Sequence, residues 1–274
     1  MRTLRRGDTG DDVSELQRLL GITADGQYGP KTEAAVEAFQ LAHHLLVDGI
    51  AGRVTQTWLS GARPSTMRIV RVELDAWGGG YSSAKLREDA ASALIRARDT
   101  LHDLGAILTS SGGLRSLSAS VSATRSATSM HYIGRALDLF VHSGMHAGTP
   151  YIVTRDGDRH FRVYARAEGG DEMTLDAIEW TDGKWEVVPT EARVVDLTAI
   201  LEHHGFHRIT ARRAFFATPS VFGSSEFWHH QWTEGLVKGQ TLFGDELRKL
   251  YTVAQLEGTP PWFYRDYKYG DDWS

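Results

Sequence analysis

The 274-residue sequence contains no cysteine, which excludes disulfide bonds and thiolate metal ligands. It has no apolar run approaching the ~20 residues of a membrane-spanning helix, so no membrane span is expected. It also has no excess of basic residues, because 30 Lys and Arg face 35 Asp and Glu, for a net charge of −5. Binding to nucleic-acid phosphates requires a basic face, so the charge argues against a nucleic-acid partner.

The sequence has the composition of an ordinary globular protein, with 41% hydrophobic and 24% charged residues. Its length suits one large domain or two smaller ones. Residues 61–66 are polar and contain Pro64, as is typical of a linker. We therefore predict an N-terminal domain at residues 1–61, a linker at 62–66 and a second domain at 67–274.

The N-terminal domain contains an internal repeat, because residues 25–32 recur in pattern as residues 48–55. Each copy starts with Asp-Gly, which forms turns, and each ends with a threonine, Thr32 or Thr55, that can cap the following helix. Apolar residues at helical spacing predict three short helices. Their positions are Val13 to Leu20, with Asp11 or Asp12 as the cap, Val36 to Leu46, and Thr57 to Leu59.

This pattern resembles the three-helix peptidoglycan-binding domain found on many cell-wall hydrolases. The resemblance rests on Leu4 to Gln17, on the Asp-Gly-x-Tyr-Gly-x-x-Thr run at residues 25–32, and on Ala35 to Gln40. The turns themselves only join helices. The resemblance implies that the domain binds the glycan or the stem peptide of peptidoglycan.

Two short motifs in the second domain carry residues suited to metal chemistry. His131 and Asp138 are separated by six residues, and Glu226 and His229 follow about ninety residues later. His131, Asp138 and His229 would make three N and O ligands and leave a fourth position open, as a catalytic zinc requires. Glu226 stands three residues before His229, where it could reach the attacking water without binding the metal.

Together these motifs resemble those of the zinc D-alanyl-D-alanine carboxypeptidases and related L,D- and D,D-peptidases of the cell wall. That group shares its metal-site fold with lysostaphin-type endopeptidases and the hedgehog signalling domain. The resemblance covers roughly residues 75 to 235 and implies Zn2+ on His131, Asp138 and His229, with Glu226 as the catalytic base. It also implies substrate binding by Arg115, which would hold a carboxylate or a carbonyl, and by Ser129. His230 is the competitor for the third ligand, and the spacing from Glu226 favours His229.

The second domain is predicted to mix helices and strands, so the chain belongs to the α+β class. We expect a small three-helix domain followed by an antiparallel-sheet zinc peptidase domain with flanking helices. The β-rich stretch at 150–190 would be an insertion that walls the cleft or a sheet extension without a substrate role. The expected strands are 67–74, 106–109 and 134–141, two hairpins at 151–164 and 178–188, and an extended stretch at 215–232; the expected helices are 83–104, 194–204 and 245–256, followed by an aromatic tail that packs back onto the domain.

The function expected from these features is cleavage of peptidoglycan stem peptides or cross-links. A D-alanyl-D-alanine carboxypeptidase shares every motif above and remains an alternative. A serine hydrolase is disfavoured because there is no Gly-x-Ser-x-Gly elbow. A non-catalytic wall-binding protein that holds a metal is a further alternative, although the presence of Glu226 favours an enzyme.

The N-terminus has basic residues at 1–8 but no apolar run behind them, so we predict no secretory signal. If the substrate is cell wall, the protein is then expected to reach the wall or periplasm by release on lysis or through a secretion system.

Overall fold

The computed structural model describes residues 2–43, 45, 47–60, 67–120, 126–140, 145–211, 225–252, 255–256 and 267–270. It divides into two compact units, of which the first takes in residues 1–66 and 237–273 and the second residues 67–236. Helices and antiparallel sheets are both present, which confirms the α+β class. No helix in these described ranges is long and apolar enough to cross a bilayer.

The first unit begins with three helices, α1 (Asp11–Leu19), α2 (Pro30–Ala42) and α3 (Arg53–Leu59). The proline at the start of α2 suits that position, since its fixed φ is helical and the first N–H groups lack partners inside the helix. Apolar side chains from the helices and the segments between them form a small core of Leu4, Val13, Leu16, Tyr28, Val36 and Ala51.

The predicted helix caps were wrong. Glycines occupy all three N-cap positions, and no side chain caps α1, α2 or α3. Asp11 and Asp12 lie in the first turn of α1, where negative charge is favourable next to the helix dipole. Thr32 and Thr55 lie inside α2 and α3. Their hydroxyl groups accept hydrogen bonds from the side-chain amides of two buried glutamines.

Gln17 and Gln40 tie together the two copies of the repeat in the same way. The Nε2 atom of Gln17 lies 2.8 Å from Asp25 Oδ1 and 2.9 Å from Thr32 Oγ1, and its Oε1 atom accepts a bond from Gly26 N. The Nε2 atom of Gln40 lies 2.9 Å from Asp48 Oδ1 and 3.2 Å from Thr55 Oγ1, and its Oε1 accepts from Gly49 N. Each Asp-Gly turn is therefore closed by a buried side-chain amide.

Helix α6 (Phe243–Arg248) belongs to the first unit. It is shorter than the predicted helix at 245–256, because a turn follows Arg248. Its Phe243 and Leu247 are fully buried, and the Arg248 guanidinium stacks 4.8 Å from the ring centroid of Trp58. Of the aromatic tail, Tyr267 and Tyr269 are described, and their backbone groups bond to Phe243 N and Thr241 O. The other members of that prediction, Trp262, Phe263, Tyr264 and Trp273, lie outside the described residues, as does Ala254.

The second unit starts with the antiparallel strands β1 (Ile69–Glu73) and β2 (Ser83–Arg87), followed by helix α4 (Glu88–Asp103). The predicted helix from residue 83 was therefore too long at its start. Leu86 fits a helical spacing, but it lies on β2 opposite Val70 and is fully buried there. Residues 106–109 form no strand. Leu108 O accepts a hydrogen bond from Asp75 N, and Leu108 N donates one to the Asp75 carboxylate.

The second unit also contains two three-stranded sheets. One has the order β3 (Ala136–Asp138), β8 (His229–Trp232), β7 (Phe206–Arg208). The other has the order β4 (Tyr151–Arg155), β5 (Phe161–Thr181), β6 (Lys184–Asp196). The pairings of β4 with β5 and of β5 with β6 confirm both predicted hairpins. Whether the long β5–β6 hairpin is an insertion with a role in the cleft stays a prediction.

Two further elements differ in length from the predictions. β3 is shorter than the predicted strand at 134–141, of which residue 141 lies outside the described part of the chain. Helix α5 (Leu197–His203) begins three residues later than predicted, because residues 194–196 complete β6 and Asp196 caps the helix through Ala199 N at 2.8 Å. Gly205 ends this stretch in a left-handed conformation with φ 83, as the sequence predicts. Of the extended stretch predicted at 215–232, residues 215–224 lie outside the description.

Candidate metal centre

The structure brings together the side chains of His131, Asp138 and His229. Asp138 and His229 are direct partners in the antiparallel pairing of β3 with β8, so their side chains lie on the same face of the sheet. His229 Nδ1 is 2.9 Å from Asp138 Oδ1, and His131 Nε2 is 3.1 Å from Asp138 Oδ2. One ligand atom from each residue lies within 4.8 Å of the others. In the part of the chain that the structure describes, this is the one such group of His, Cys, Asp and Glu.

His131 is held by the turn of 3-10 helix in which it lies, Met130–Ile133. Ser129 caps this turn by accepting a hydrogen bond from His131 N at 3.4 Å. Gly134 ends the turn with φ 65, and a Cβ there would lie 2.8 Å from Arg87 N, so the position requires glycine. The sequence signal for this geometry is the small residue that follows His131 at a distance of three.

A backbone carbonyl fixes the orientation of the His131 ring. His131 Nδ1 lies 2.5 Å from Gly113 O, which can only accept a hydrogen bond, so Nδ1 carries the proton. The lone pair is then on Nε2, which is buried 3.1 Å from Asp138 Oδ2 and makes no hydrogen bond with any residue that the structure describes. A carbonyl behind a metal-binding imidazole is the usual arrangement for setting its tautomer. Sequence analysis missed Gly113, whose role depends on its backbone and not on its side chain.

The electrostatics of the group favour a charged carboxylate. Burial by itself raises the pKa of Asp138, but the neighbouring imidazoles of His131 and His229 outweigh burial and lower this pKa well below its ordinary range. Two imidazole nitrogens and one carboxylate oxygen are ligand types that zinc accepts in catalytic sites with three protein ligands. The donor set, its burial and the open Nε2 therefore fit a zinc ion.

Glu226 lies at the start of the turn that leads into β8. Its backbone has φ 54, an uncommon conformation for a residue with a side chain, and its carbonyl accepts a hydrogen bond from His229 N at 3.1 Å. A turn therefore separates Glu226 from His229, within the stretch that the sequence predicts to be extended. Glu226 is 9% exposed, and its carboxylate is not among the mutually close donor atoms of the metal group.

Arg115 and Ser129 lie beside the His131 turn and contact each other. Arg115 Nη1 donates to Ser129 Oγ at 3.2 Å, and Arg115 N donates to His131 O at 3.0 Å. The guanidinium is 5.6 Å from the ring centroid of Tyr132.

His230, the competitor for the third ligand, is not in the donor group. It follows His229 on β8, so its side chain lies on the opposite face of the sheet, where Leu137 is its partner. Burial lowers the pKa of His230 to about 4, so the ring is neutral at ordinary pH. Gln231, by contrast, returns to the face of Asp138 and His229, and sequence analysis overlooked it. The period-two alternation of a strand after His229 was the signal that could have found it.

Comparisons with known proteins agree with this arrangement. Residues 9–59 match the family model described as a putative peptidoglycan binding domain. The chain is 32% identical over 154 residues to the zinc D-Ala-D-Ala carboxypeptidase of Streptomyces albus G, which covers 50% of this chain and 60% of that protein. The chain is thus similar to a zinc D-Ala-D-Ala carboxypeptidase over half of its length and to peptidoglycan-binding domains in its N-terminal part, which confirms the resemblance seen in the motifs.

A second curated relative, an uncharacterized protein in the bpoA1 3' region of Kitasatospora aureofaciens, is 42% identical over 59 residues, which is 19% of this chain and 50% of that one. The chain therefore spans less than two thirds of the length of either curated relative.

Two solved structures also match. The Burkholderia AP3 phage endolysin is 37% identical, with 37% of this chain and 34% of that chain covered and a TM-score of 0.22. A fused Zn-dependent amidase/peptidase/peptidoglycan-binding protein from Clostridium acetobutylicum ATCC 824 is 16% identical, with 74% and 87% covered and a TM-score of 0.22. At these TM-scores neither superposition adds to the description of the fold.

Proposed function

We propose that this chain is a zinc-dependent peptidase that cleaves stem peptides or cross-links of bacterial peptidoglycan, acting in the cell wall or periplasm. The observation that carries the proposal is the convergence of His131, Asp138 and His229, each delivered by a different segment of the second unit. The peptidoglycan-binding match at residues 9–59 supports the choice of substrate, with the predicted domain at 1–61 holding the protein to the wall.

The proposed roles follow from the chemistry of each side chain. His131, Asp138 and His229 hold the ion, and Gly113 O keeps the His131 ring in the tautomer that can bind it. Bound zinc would supply Lewis-acid polarisation of the scissile carbonyl and of the attacking water. Glu226 accepts a proton from that water and returns it to the leaving amine. One carboxylate therefore acts first as the general base and then as the general acid.

Arg115 and Ser129 are proposed to bind the substrate. The planar guanidinium suits a carboxylate or a peptide carbonyl, because it can donate two parallel hydrogen bonds. The bond from Arg115 to Ser129 Oγ holds the guanidinium beside the His131 turn before any substrate arrives. Such preorganisation reduces the side-chain entropy that binding would otherwise cost.

The test of these roles compares Glu226→Gln with His131→Ala. Glu226→Gln should keep about one zinc ion per chain and lose activity by roughly 10²-fold or more, the usual contribution of a general base. His131→Ala should lose both zinc and activity. Zinc is measured by mass spectrometry of the metal and activity by release of peptides from purified peptidoglycan.

The matched control is His102→Ala, which removes a histidine that is exposed and lies outside the donor group. It should change neither zinc content nor activity. Equal zinc loss in Glu226→Gln and His131→Ala would contradict the assigned roles.

A second candidate function is that of a D-alanyl-D-alanine carboxypeptidase, which the name of the Streptomyces albus G relative favours. Digestion of peptidoglycan with and without a chelator, followed by mass spectrometry of the fragments, separates the candidates. Cut stems or cross-links would support the peptidase proposed above, and free D-alanine alone would support the carboxypeptidase. Zinc-loaded protein that binds wall but releases nothing would leave a metal-containing wall-binding protein.

A further inference from the structure

Gln231 lies on the same face of the sheet as the metal group. In the pairing of β3 with β8, Asp138 is opposite His229 and Ala136 is opposite Gln231. Side chains two residues apart on a strand share a face, so Gln231 stands next to His229 on that side. The separation along the strand is roughly 6.6 Å, about two residues of an extended peptide. A peptide bound at the metal group is therefore within reach of the Gln231 amide.

The Gln231 carbonyl oxygen, Oε1, is buried and has no hydrogen-bond partner among the residues that the structure describes. Buried polar atoms in native proteins are nearly always paired, so an exception calls for a reason. Of its two cross-strand neighbours, Ala136 on β3 has no polar side chain, and the exposed His207 on β7 makes no hydrogen bond to Oε1.

The chemistry of Gln231 Oε1 restricts which groups can be its hydrogen-bond partner. An amide oxygen can only accept a hydrogen bond, so the partner must present an N–H or an O–H group. A peptide that crosses the metal group offers backbone N–H groups at regular intervals, whereas its carboxylates and carbonyls cannot donate. We propose that Gln231 is a substrate-binding residue that accepts a hydrogen bond from a backbone amide N–H of the peptide that is cleaved. This inference rests on the proposed peptidase function and adds a contact to it.

The test removes the acceptor from the protein and the donor from the substrate. Gln231→Met keeps the length of the side chain and removes the oxygen, and should lower kcat/KM about 10-fold, the size of one good hydrogen bond. A set of stem-peptide substrates, each N-methylated at one amide, removes the donors one at a time. At one position, N-methylation should cost the wild-type protein about the same factor and cost Gln231→Met nothing further.

Two additional variants keep the result interpretable. Gln231→Glu retains an acceptor oxygen and should keep the sensitivity to N-methylation, so it carries the same test if Gln231→Met does not fold. Gln240→Met changes an exposed glutamine of the first unit and should leave kcat/KM unchanged. Zinc content and thermal unfolding are measured for every variant.

The outcomes separate this inference from the proposed function. If wild-type protein cleaves the peptides but Gln231→Met is equally active, or loses the same factor on every N-methylated substrate as the wild type does, the inference is overturned and the peptidase stands. If zinc-loaded wild-type protein cleaves none of the peptides, the proposed function is overturned together with the inference.

Discussion

In the first unit, Gln17 and Gln40 are buried and use both ends of their amide groups, whereas Gln231 in the second unit has a buried oxygen without a described partner. The first two glutamines replace the backbone bonds that a turn and a helix end leave open. The third faces a group of metal-binding side chains and leaves its acceptor open. The same side-chain type thus has two uses. Gln17 and Gln40 are internal braces, meaning buried side chains whose hydrogen bonds join two segments of the fold, whereas Gln231 offers an unpaired acceptor.

The metal group shows the same division within a single ring. Gly113 O accepts a hydrogen bond from Nδ1 of His131, whereas Nε2 is buried without a hydrogen bond among the described residues. An unpaired buried polar atom lowers stability, so a protein keeps one mainly where a ligand restores the loss. Buried polar groups with all their hydrogen bonds made therefore stabilise the fold. Buried polar atoms without a described partner indicate where a metal ion or a substrate binds.

The largest effect on this comparison is expected from removing both internal braces. Gln17→Leu and Gln40→Leu each leave a turn N–H, that of Gly26 or Gly49, without its acceptor, at a cost of about 2–3 kcal/mol each. Together they should lower the free energy of unfolding of the first unit by roughly 5 kcal/mol, enough to unfold a marginal unit.

Amide hydrogen exchange of residues 2–60 measures this change within the full chain. Gln240→Leu, at an exposed position, is the matched control and should leave the exchange unaltered. Protection of Gly26 and Gly49 that survives both substitutions would show that the glutamines are not the braces described here.

An intermediate effect is expected at Asp89, which neutralises the fully buried Arg87 with bonds of 2.8 and 2.7 Å. Burial raises the pKa of Asp89, but the hydrogen bond and charge of Arg87 outweigh burial and lower this pKa below 3.8. Asp89→Asn removes the carboxylate that is bonded to the buried Arg87 and should lower the free energy of unfolding by roughly 3 kcal/mol at neutral pH.

The pH dependence gives the sign of this effect. Because the folded-state pKa lies below the ordinary value of 3.8, the stabilisation by Asp89 is complete above that pH and is lost as the pH falls through the folded-state pKa. The difference in Tm between wild type and Asp89→Asn should therefore shrink on acidification below 3.8. Asp99→Asn, at the exposed pair with Arg98, should cost no more than about 0.5 kcal/mol at any pH.

The smallest effect is expected from Gln231→Met. Its Oε1 atom has no described partner to lose, so the free energy of unfolding should change by less than about 0.5 kcal/mol. Chemical denaturation of the zinc-loaded chain measures this. A loss of 2 kcal/mol or more would show that Gln231 stabilises the fold as Gln17 and Gln40 do. That result would contradict the difference between the two units.

Much of the fold could be predicted from periodicity and turn residues. A pattern within one short segment was enough to predict the helices at Val13 and Val36. The same holds for the two hairpins predicted at 151–164 and 178–188. The errors lie where a partner from elsewhere in the chain decides the outcome. Leu86 fits a helix by spacing, yet pairing with Val70 places it on a strand.

The candidate site could be predicted as a set of residues but not as a geometry. The order and spacing of His131, Asp138 and His229 pointed to a metal, because side-chain type limits which ions can bind. Their support could not be predicted in the same way. Gly113 acts through its carbonyl, and Gln231 matters because of a strand register that joins residues about ninety positions apart.

The stacking of Arg248 on Trp58 has a consequence for the order of synthesis. A ribosome makes residues 1–60 first, but it adds Arg248 only after all of residues 67–236. Domains generally fold as units while the chain emerges from its N-terminus. Here the second unit has its whole sequence before the first unit does, so the unit that is started first is completed last.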